Sequence, residues 1–261
     1  MKKIGLYLLF LIPAACNKSA NEPSNPPALT DAVYKNGILS TGNVSNSGVT
    51  APAGYNWSES QNDAGNTALS NQNLGIACHY DAFSNYKPAD DFTVPPGQTW
   101  NVSKISVYVF VGPGTSNPFD ELRIQLWKGN PSVAGSTVIA GDLTTNVLSS
   151  AIDSMTYAIQ NSAVPAPGVI PTATRPIWKL SANITATLQP GNYWVVWQAH
   201  ASSGAYGFSP TVKVKGSRGQ PGWNAIVYNS SNIWQAVFDS GSPFTPPIIP
   251  QDLAFEIEYK Y

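Results

Sequence analysis

The stretch that most constrains the fold runs from Leu180 to His200, where two runs of alternating apolar residues flank Leu188-Gln189-Pro190-Gly191. Pro190 fixes φ for a turn and Gly191 supplies the positive φ that a tight reversal needs, so the stretch predicts a β-hairpin. The second run, Tyr193 to Gln198, has aromatic or aliphatic residues on both faces. In a strand with one solvent-exposed face, apolar residues alternate with polar ones. Because this run does not alternate in that way, it predicts a central strand that is buried on both faces.

Further strands are predicted by short alternating runs along the rest of the chain. They are expected at residues 90–94, 100–102, 105–111, 122–127, 138–140, 155–159, 177–180, 223–228, 233–238 and 253–260. The run 229–232 indicates a second hairpin, and the last strand is expected to be half exposed. Many short strands with turn signals every ~8 to 12 residues predict an all-β fold, an antiparallel β-sandwich that is jelly-roll-like.

The N-terminus predicts export. Lys2 and Lys3 precede a short apolar run, residues 4–12, and small residues then lead to Cys16. The run is too short to span a bilayer but is typical of a signal peptide, and the residues before Cys16 resemble the lipobox of bacterial lipoproteins. We therefore expect a signal peptide over 1–15, lipidation of Cys16, a flexible tether over 16–30 and a single β-sandwich domain over 31–261. A plain cleaved secretory peptide is the alternative.

Composition agrees with an exported protein. Charged residues make up 11% of the chain, against roughly 25% in an average soluble domain. The net charge is -1 and no cluster of Lys and Arg follows the leader, so no nucleic-acid partner is expected. The predicted location is the bacterial outer membrane or cell surface, with the lipid as the sole contact with the membrane.

Several motifs resemble a group of bacterial secreted β domains that are commonly joined to cell-surface sorting tails. They are Ala89-Asp90-Asp91-Phe92-Thr93-Val94 with Trp100, Leu122-Arg123-Ile124 with Trp127, and Gly191-Asn192-Tyr193-Trp194 with Trp197-Gln198. The resemblance covers about Tyr34 to Tyr261 and implies one exported β domain. This chain shows no sorting tail after its last strand, and a lipid on Cys16 would do the same anchoring.

Aromatic residues indicate a binding function. The chain has eight Trp and twelve Tyr, and planar aromatic rings with Asn and Gln nearby suit the faces and hydroxyls of sugar rings. The candidate ligand-binding residues, chosen because they lie near strand ends or turns, are Trp127, Trp223, Tyr228 and Trp234. The predicted function is glycan binding or adhesion, with a polysaccharide or surface glycan as partner. More than half of the Trp residues are expected to be core.

Two other functions remain open, an enzyme and a purely structural surface protein. His79 and His200 are the only histidines, which excludes a three-histidine zinc site, and no Gly-x-Ser-x-Gly elbow is present. The enzyme that residue types allow is a polysaccharide lyase with His200 as base, Tyr193 or Tyr206 as acid and Arg218 neutralising a uronate carboxylate. The pair Glu256 and Glu258, two apart on a strand, is interpreted as an exposed face rather than a glycosidase pair.

Acidic residues near strand ends allow a structural calcium ion, since a hard cation takes several loop oxygens. The candidates are Asp90, Asp91, Asp120 and Asp252, with Glu121 beside them; turn capping is the alternative. No other cofactor is expected. Asp90 has the same parity along its strand as Phe92 and Val94, so its side chain is expected to point inward. It would then need Arg123, Arg175 or a backbone amide as hydrogen-bond donor. Cys78 is expected to be a small buried hydrophobe.

Overall fold

The computed structural model describes residues 29–114 and 116–261, which contain 17 strands and no helix. The strands are β1 (Asp31–Asn36), β2 (Asn56–Glu59), β3 (Gly75–Ala77), β4 (Lys87–Val94), β5 (Trp100–Val109), β6 (Phe119–Lys128), β7 (Thr137–Asp142), β8 (Leu148–Ile159), β9 (Pro176–Ala182), β10 (Ala186–Leu188), β11 (Gly191–Ala201), β12 (Phe208–Pro210), β13 (Ile226–Tyr228), β14 (Trp234–Ala236), β15 (Phe238–Asp239), β16 (Ile249–Pro250) and β17 (Phe255–Lys260). Within these ranges, no helix long and apolar enough to cross a membrane occurs. The predicted signal peptide, Cys16 and the tether up to residue 28 lie outside the described residues.

Two large sheets pack face to face, which confirms the predicted antiparallel β-sandwich. The seven-stranded sheet has the order β1-β17-β5-β9-β8-β2, with β10 also paired to β5. The six-stranded sheet has the order β14-β13-β4-β11-β6-β7. One pairing, β2 with β8, is parallel. A shared core takes Val107, Leu180 and Phe255 from the first sheet and Leu122 and Trp197 from the second. The jelly-roll version of the sandwich and the single-domain assignment stay predictions.

The alternating run that begins at Tyr193 forms β11, a central strand as predicted, between β4 and β6. Its odd-numbered residues, such as Val195, belong to the shared core, and Trp194 and Val196 pack in a second buried cluster on the opposite face. The hairpin prediction was wrong. β9 and β10 pair with β5 in one sheet and β11 pairs in the other. The turn at Gly191, with φ of 151°, therefore carries the chain between sheets.

Other local predictions have mixed outcomes. β13 and β14 pair as the second predicted hairpin, with Tyr228 opposite Trp234. β17 was expected to be half exposed, but Glu256 on its outer face is buried beneath ion-pairing lysines.

Cys78 is buried in the core as predicted, and burial raises the pKa of its thiol to about 12. Thr30, assigned to the tether, already pairs with Tyr261 through backbone hydrogen bonds of 3.0 and 3.1 Å.

The tryptophans divide evenly between core and surface. Four are buried, namely Trp57, Trp100, Trp194 and Trp197. The other four, Trp127, Trp178, Trp223 and Trp234, are half-buried. The expectation that more than half would be core was therefore slightly too high, and the half-buried set includes three of the four predicted ligand-binding residues.

Candidate functional site

Four aromatic side chains lie on the outer surface of the six-stranded sheet. We call this surface the aromatic face; its members are Trp127 on β6, Trp194 on β11, Tyr228 on β13 and Trp234 on β14. Trp194 and Trp127 are directly opposite each other in the register of β11 and β6. Tyr228 and Trp234 are likewise opposite, with ring centroids 5.4 Å apart and the planes at 68°. Trp194 is buried and forms the floor, and Trp127 and Trp234 pack against its cluster while remaining partly exposed.

The alternation of each strand places these rings outward. Leu126 and Val227, one residue before Trp127 and Tyr228, face the shared core, so the next residue on each strand points away from it. From β6 to β14 the sheet crosses four inter-strand steps, or roughly 19 Å at ~4.8 Å per step. The aromatic face is therefore wide and shallow, and it fits an extended ligand better than a single small ring.

Charged groups on the aromatic face are few. The Lys87 ammonium lies 3.8 Å from the centre of the Tyr228 ring in a cation–π contact. Burial lowers the pKa of Lys87 and raises the pKa of Asp91, which is opposite Trp194 in the sheet. Gln125 accepts a hydrogen bond of 3.0 Å from the Trp127 indole. The surface thus combines aromatic rings, an amide, one cation and one carboxylate.

The structure brings together three of the four residues predicted to bind ligand and adds two that the sequence analysis missed. Trp127, Tyr228 and Trp234 share the aromatic face. Trp223 is half-buried in the loop before β13 and is not in the sheet. Trp194 was missed because its alternation indicated core, and Lys87 was missed because nothing local to it signals a partner 141 positions away.

A second polar cluster lies at the far end of β11, where both histidines of the chain occur. His200 Nδ1 is 2.6 Å from Asp120 Oδ1, and the Tyr80 ring is 5.6 Å from the imidazole. His79 contacts Tyr206, with 4.1 Å between ring centroids. His79 is only 6% exposed and neither ring nitrogen has a hydrogen-bond partner among the described residues. Burial lowers the pKa of His79, and Asp81 and the Gly207 backbone act in the opposite direction.

The lyase residues proposed from the sequence do not assemble around His200. Tyr193 lies seven positions earlier on β11, roughly 23 Å away, and its buried hydroxyl donates to Gln189 O at 2.8 Å. Arg218 is buried and bonded to Asp63, with 2.8 Å between Nε and Oδ2. Tyr206 is exposed and is the one member of that proposed set at the histidine end of β11.

The calcium candidates separate into two places. Asp120 pairs with His200, whereas Asp90, Asp91 and Asp252 lie close to one another near the start of β17. Within residues 29–114 and 116–261, no group of three or more His, Cys, Asp or Glu is arranged to hold a metal ion.

Asp90 points inward as predicted and is fully buried. Its carboxylate accepts from Asn36 Nδ2 and Leu253 N, both at 2.7 Å, and from Asp91 N at 2.9 Å. Backbone amides were among the predicted donors, and neither predicted arginine takes part. Burial, with the nearby charge of Asp252, holds the pKa of Asp90 well above its usual range.

No model of a known protein family matches the chain, and no curated protein is similar to it in sequence.

Proposed function

We propose that this protein is an exported, lipid-anchored surface protein that binds glycan without cleaving it, and that the aromatic face is its contact surface. The observation that carries the proposal is the placement of Trp127, Tyr228 and Trp234, half-buried, around the Trp194 floor on one sheet. Rings held by packing on one side present a pre-organised apolar surface, so little side-chain entropy is lost when a ligand covers them.

Sugar rings are the ligand class that suits this surface. Their CH faces stack on planar aromatic rings, and their hydroxyls need amide or charged partners. Gln125 beside Trp127 and Lys87 above Tyr228 supply such partners at two ends of the surface. The sparse charge of the surface favours a neutral polyhydroxylated chain over a polyanion.

The test is a glycan array on the full-length protein, read for retention and for new reducing or unsaturated ends. We expect retention of an extended polysaccharide without cleavage. Trp127→Ala and Trp234→Ala should each weaken retention about tenfold, the scale of ~1.4 kcal/mol for a lost hot-spot ring. Phe244→Ala is the matched control, because Phe244 is an exposed aromatic residue in the β15–β16 loop, outside this sheet.

A lyase is the second candidate, because the His200–Asp120 pair is partly exposed and an oriented imidazole can act as a general base. New unsaturated ends that disappear with His200→Ala would replace the binding proposal with this one. Absence of both retention and cleavage over neutral and uronic polymers would favour a structural role.

A further inference from the structure

A groove of about 470 Å³ opens on the outer face of the other, seven-stranded sheet. Its floor is formed by Tyr108 on β5, Lys179 on β9 and Glu256 on β17, whose neighbours Val107, Leu180 and Phe255 point into the core. Its walls come from the segment after β1 and from β8. The volume is within the range of ~300 to 1,000 Å³ for small-molecule sites.

One carboxylate of the groove, that of Glu256, is shared by two ammonium groups. Glu256 is held by Tyr108 Oη at 2.8 Å, by Lys35 Nζ at 3.3 Å and by Lys179 Nζ. Burial alone would raise the pKa of Glu256, but hydrogen bonds from Lys179 and Tyr108 and the charge of Lys179 lower it. The Glu256 side chain is 10% exposed, whereas those of Lys179 and Lys35 are 27% and 65% exposed.

The unused hydrogen-bonding capacity of this cluster is on the donor side. An ammonium carries three N–H groups. Among the described residues, Lys35 and Lys179 each have a single hydrogen-bond or ion-pair partner, which is Glu256 in both cases. Asp153, the second carboxylate in the groove, already accepts from Tyr55 Oη at 2.7 Å and Met155 N at 2.8 Å. Two partly exposed ammonium groups therefore have donors available for a ligand.

The wall formed by β8 is irregular at this point. The register of β8 against β9 shifts between Asp153 and Tyr157, and Met155 has φ of 54°, a left-handed conformation that side chains rarely adopt. Ser154 lines the groove, and its Oγ is buried without a partner among the described residues. Bulges and residues at positive φ concentrate at binding sites, where surrounding contacts hold them in place.

We propose that this groove binds a carboxylate-bearing ligand of monosaccharide size, a uronic acid being the simplest case. The ligand carboxylate takes the free N–H groups of Lys35 and Lys179. Ile38 and Ile152, both exposed in the groove, cover the ring face. This site is distinct from the aromatic face, because it lies on the opposite sheet and selects for charge.

The test is a titration of the full-length protein, with isotope-labelled Ile methyl groups, by sodium glucuronate and separately by glucose. We expect saturable shifts of the Ile38 and Ile152 methyl signals with glucuronate, none with glucose, and no shift of Ile233, which is exposed on the other sheet's hairpin. Lys35→Gln should weaken glucuronate about tenfold, since it removes one charge-assisted contact from an exposed position.

Lys104→Gln is the matched control. It also removes a lysine that pairs with a β17 glutamate, with 3.0 Å between Lys104 Nζ and Glu258 Oε2, but Lys104 does not line the groove. Lys179→Gln, checked for folding by circular dichroism, provides the second groove variant. The proposal is overturned if the wild type shows no saturable shift, if glucose binds equally, or if Lys104→Gln weakens binding as much as Lys35→Gln. Trp234→Ala should leave glucuronate binding unchanged, so failure of this site and failure of the aromatic face are distinguishable.

Discussion

At the residue scale, the buried carboxylates near the start of β17 make stability depend on pH. Asp252 accepts a hydrogen bond of 2.8 Å from Asn224 N, yet burial, with the nearby Asp91 charge, raises its pKa to about 6. The folded chain therefore holds this proton more tightly than the unfolded chain does. The resulting stability is complete below the unfolded-state pKa, about 4, and is lost as the pH rises through about 6.

Asp252→Asn should remove this dependence. We expect the free energy of unfolding of the wild type, minus that of the variant, to fall by about 1 to 2 kcal/mol between pH 4 and pH 7, after allowance for partial exposure. Urea unfolding of both proteins at several pH values measures the difference. A difference that stays constant over this range would contradict the assignment.

Asp142→Asn is a control of opposite sign. Asp142 accepts four hydrogen bonds from the side chains and amides of Thr144 and Thr145, which lower its pKa. The stability that these bonds give is present above the unfolded-state pKa and is lost as the pH falls below about 4. The free energy of unfolding of the wild type, minus that of Asp142→Asn, should therefore not fall between pH 4 and pH 7.

At the element scale, the bulge in β8 gives a prediction about stability. Asn adopts the left-handed region more readily than Met, because its short polar side chain can hydrogen-bond to the local backbone there. Met155→Asn should therefore stabilise the fold by about 0.5 kcal/mol, measured by urea or thermal unfolding. Ile152→Asn, on the same strand without a positive φ, should instead destabilise it, because Asn is unfavourable in an extended strand. Destabilisation by Met155→Asn comparable to that by Ile152→Asn would contradict this explanation.

The strands show which features a sequence determines locally. Alternation identified β11, its two buried faces and the β13–β14 hairpin, because side-chain period and turn chemistry are local properties. The same turn residues at Pro190 and Gly191 could not show that β10 and β11 belong to different sheets. That choice depends on which distant strands bury the two faces, and strand pairing over such separations leaves no local signal.

The candidate sites follow the same division. Trp127, Tyr228 and Trp234 were identifiable by residue type and by position beside turns. The groove around Glu256 was not, because Lys35, Tyr108, Lys179 and Glu256 come from four strands distributed over most of the described chain. In the alternating pattern of the last strand, Glu256 and Glu258 indicated a solvent-exposed face. Tertiary packing instead buries Glu256 beneath two lysines.

At the scale of the whole molecule, the sandwich presents two different surfaces on its opposite sides. The aromatic face is broad and has Lys87 and Asp91 as its charged groups, whereas the groove on the seven-stranded sheet is lined by two lysines and two carboxylates. Because both sheets pack on one core, their outer faces point away from each other. One ligand chain that carries neutral and acidic sugars would have to wrap around an edge of the sandwich to reach both, whereas two ligands could bind independently.

The last prediction concerns the proposed lipid anchor at Cys16. If Cys16 is lipidated, the full-length protein should partition with the membrane fraction, and Cys16→Ser should move it to the soluble fraction while leaving glycan retention unchanged. Cys78→Ala is the matched control, since Cys78 is a buried core thiol and its removal should leave membrane association intact. Mass spectrometry of the mature N-terminus should show acyl chains on Cys16, because more than one lipid signal is needed for stable anchoring. A wild-type protein in the soluble fraction with an unmodified N-terminus would show instead that the leader is a plain secretory peptide.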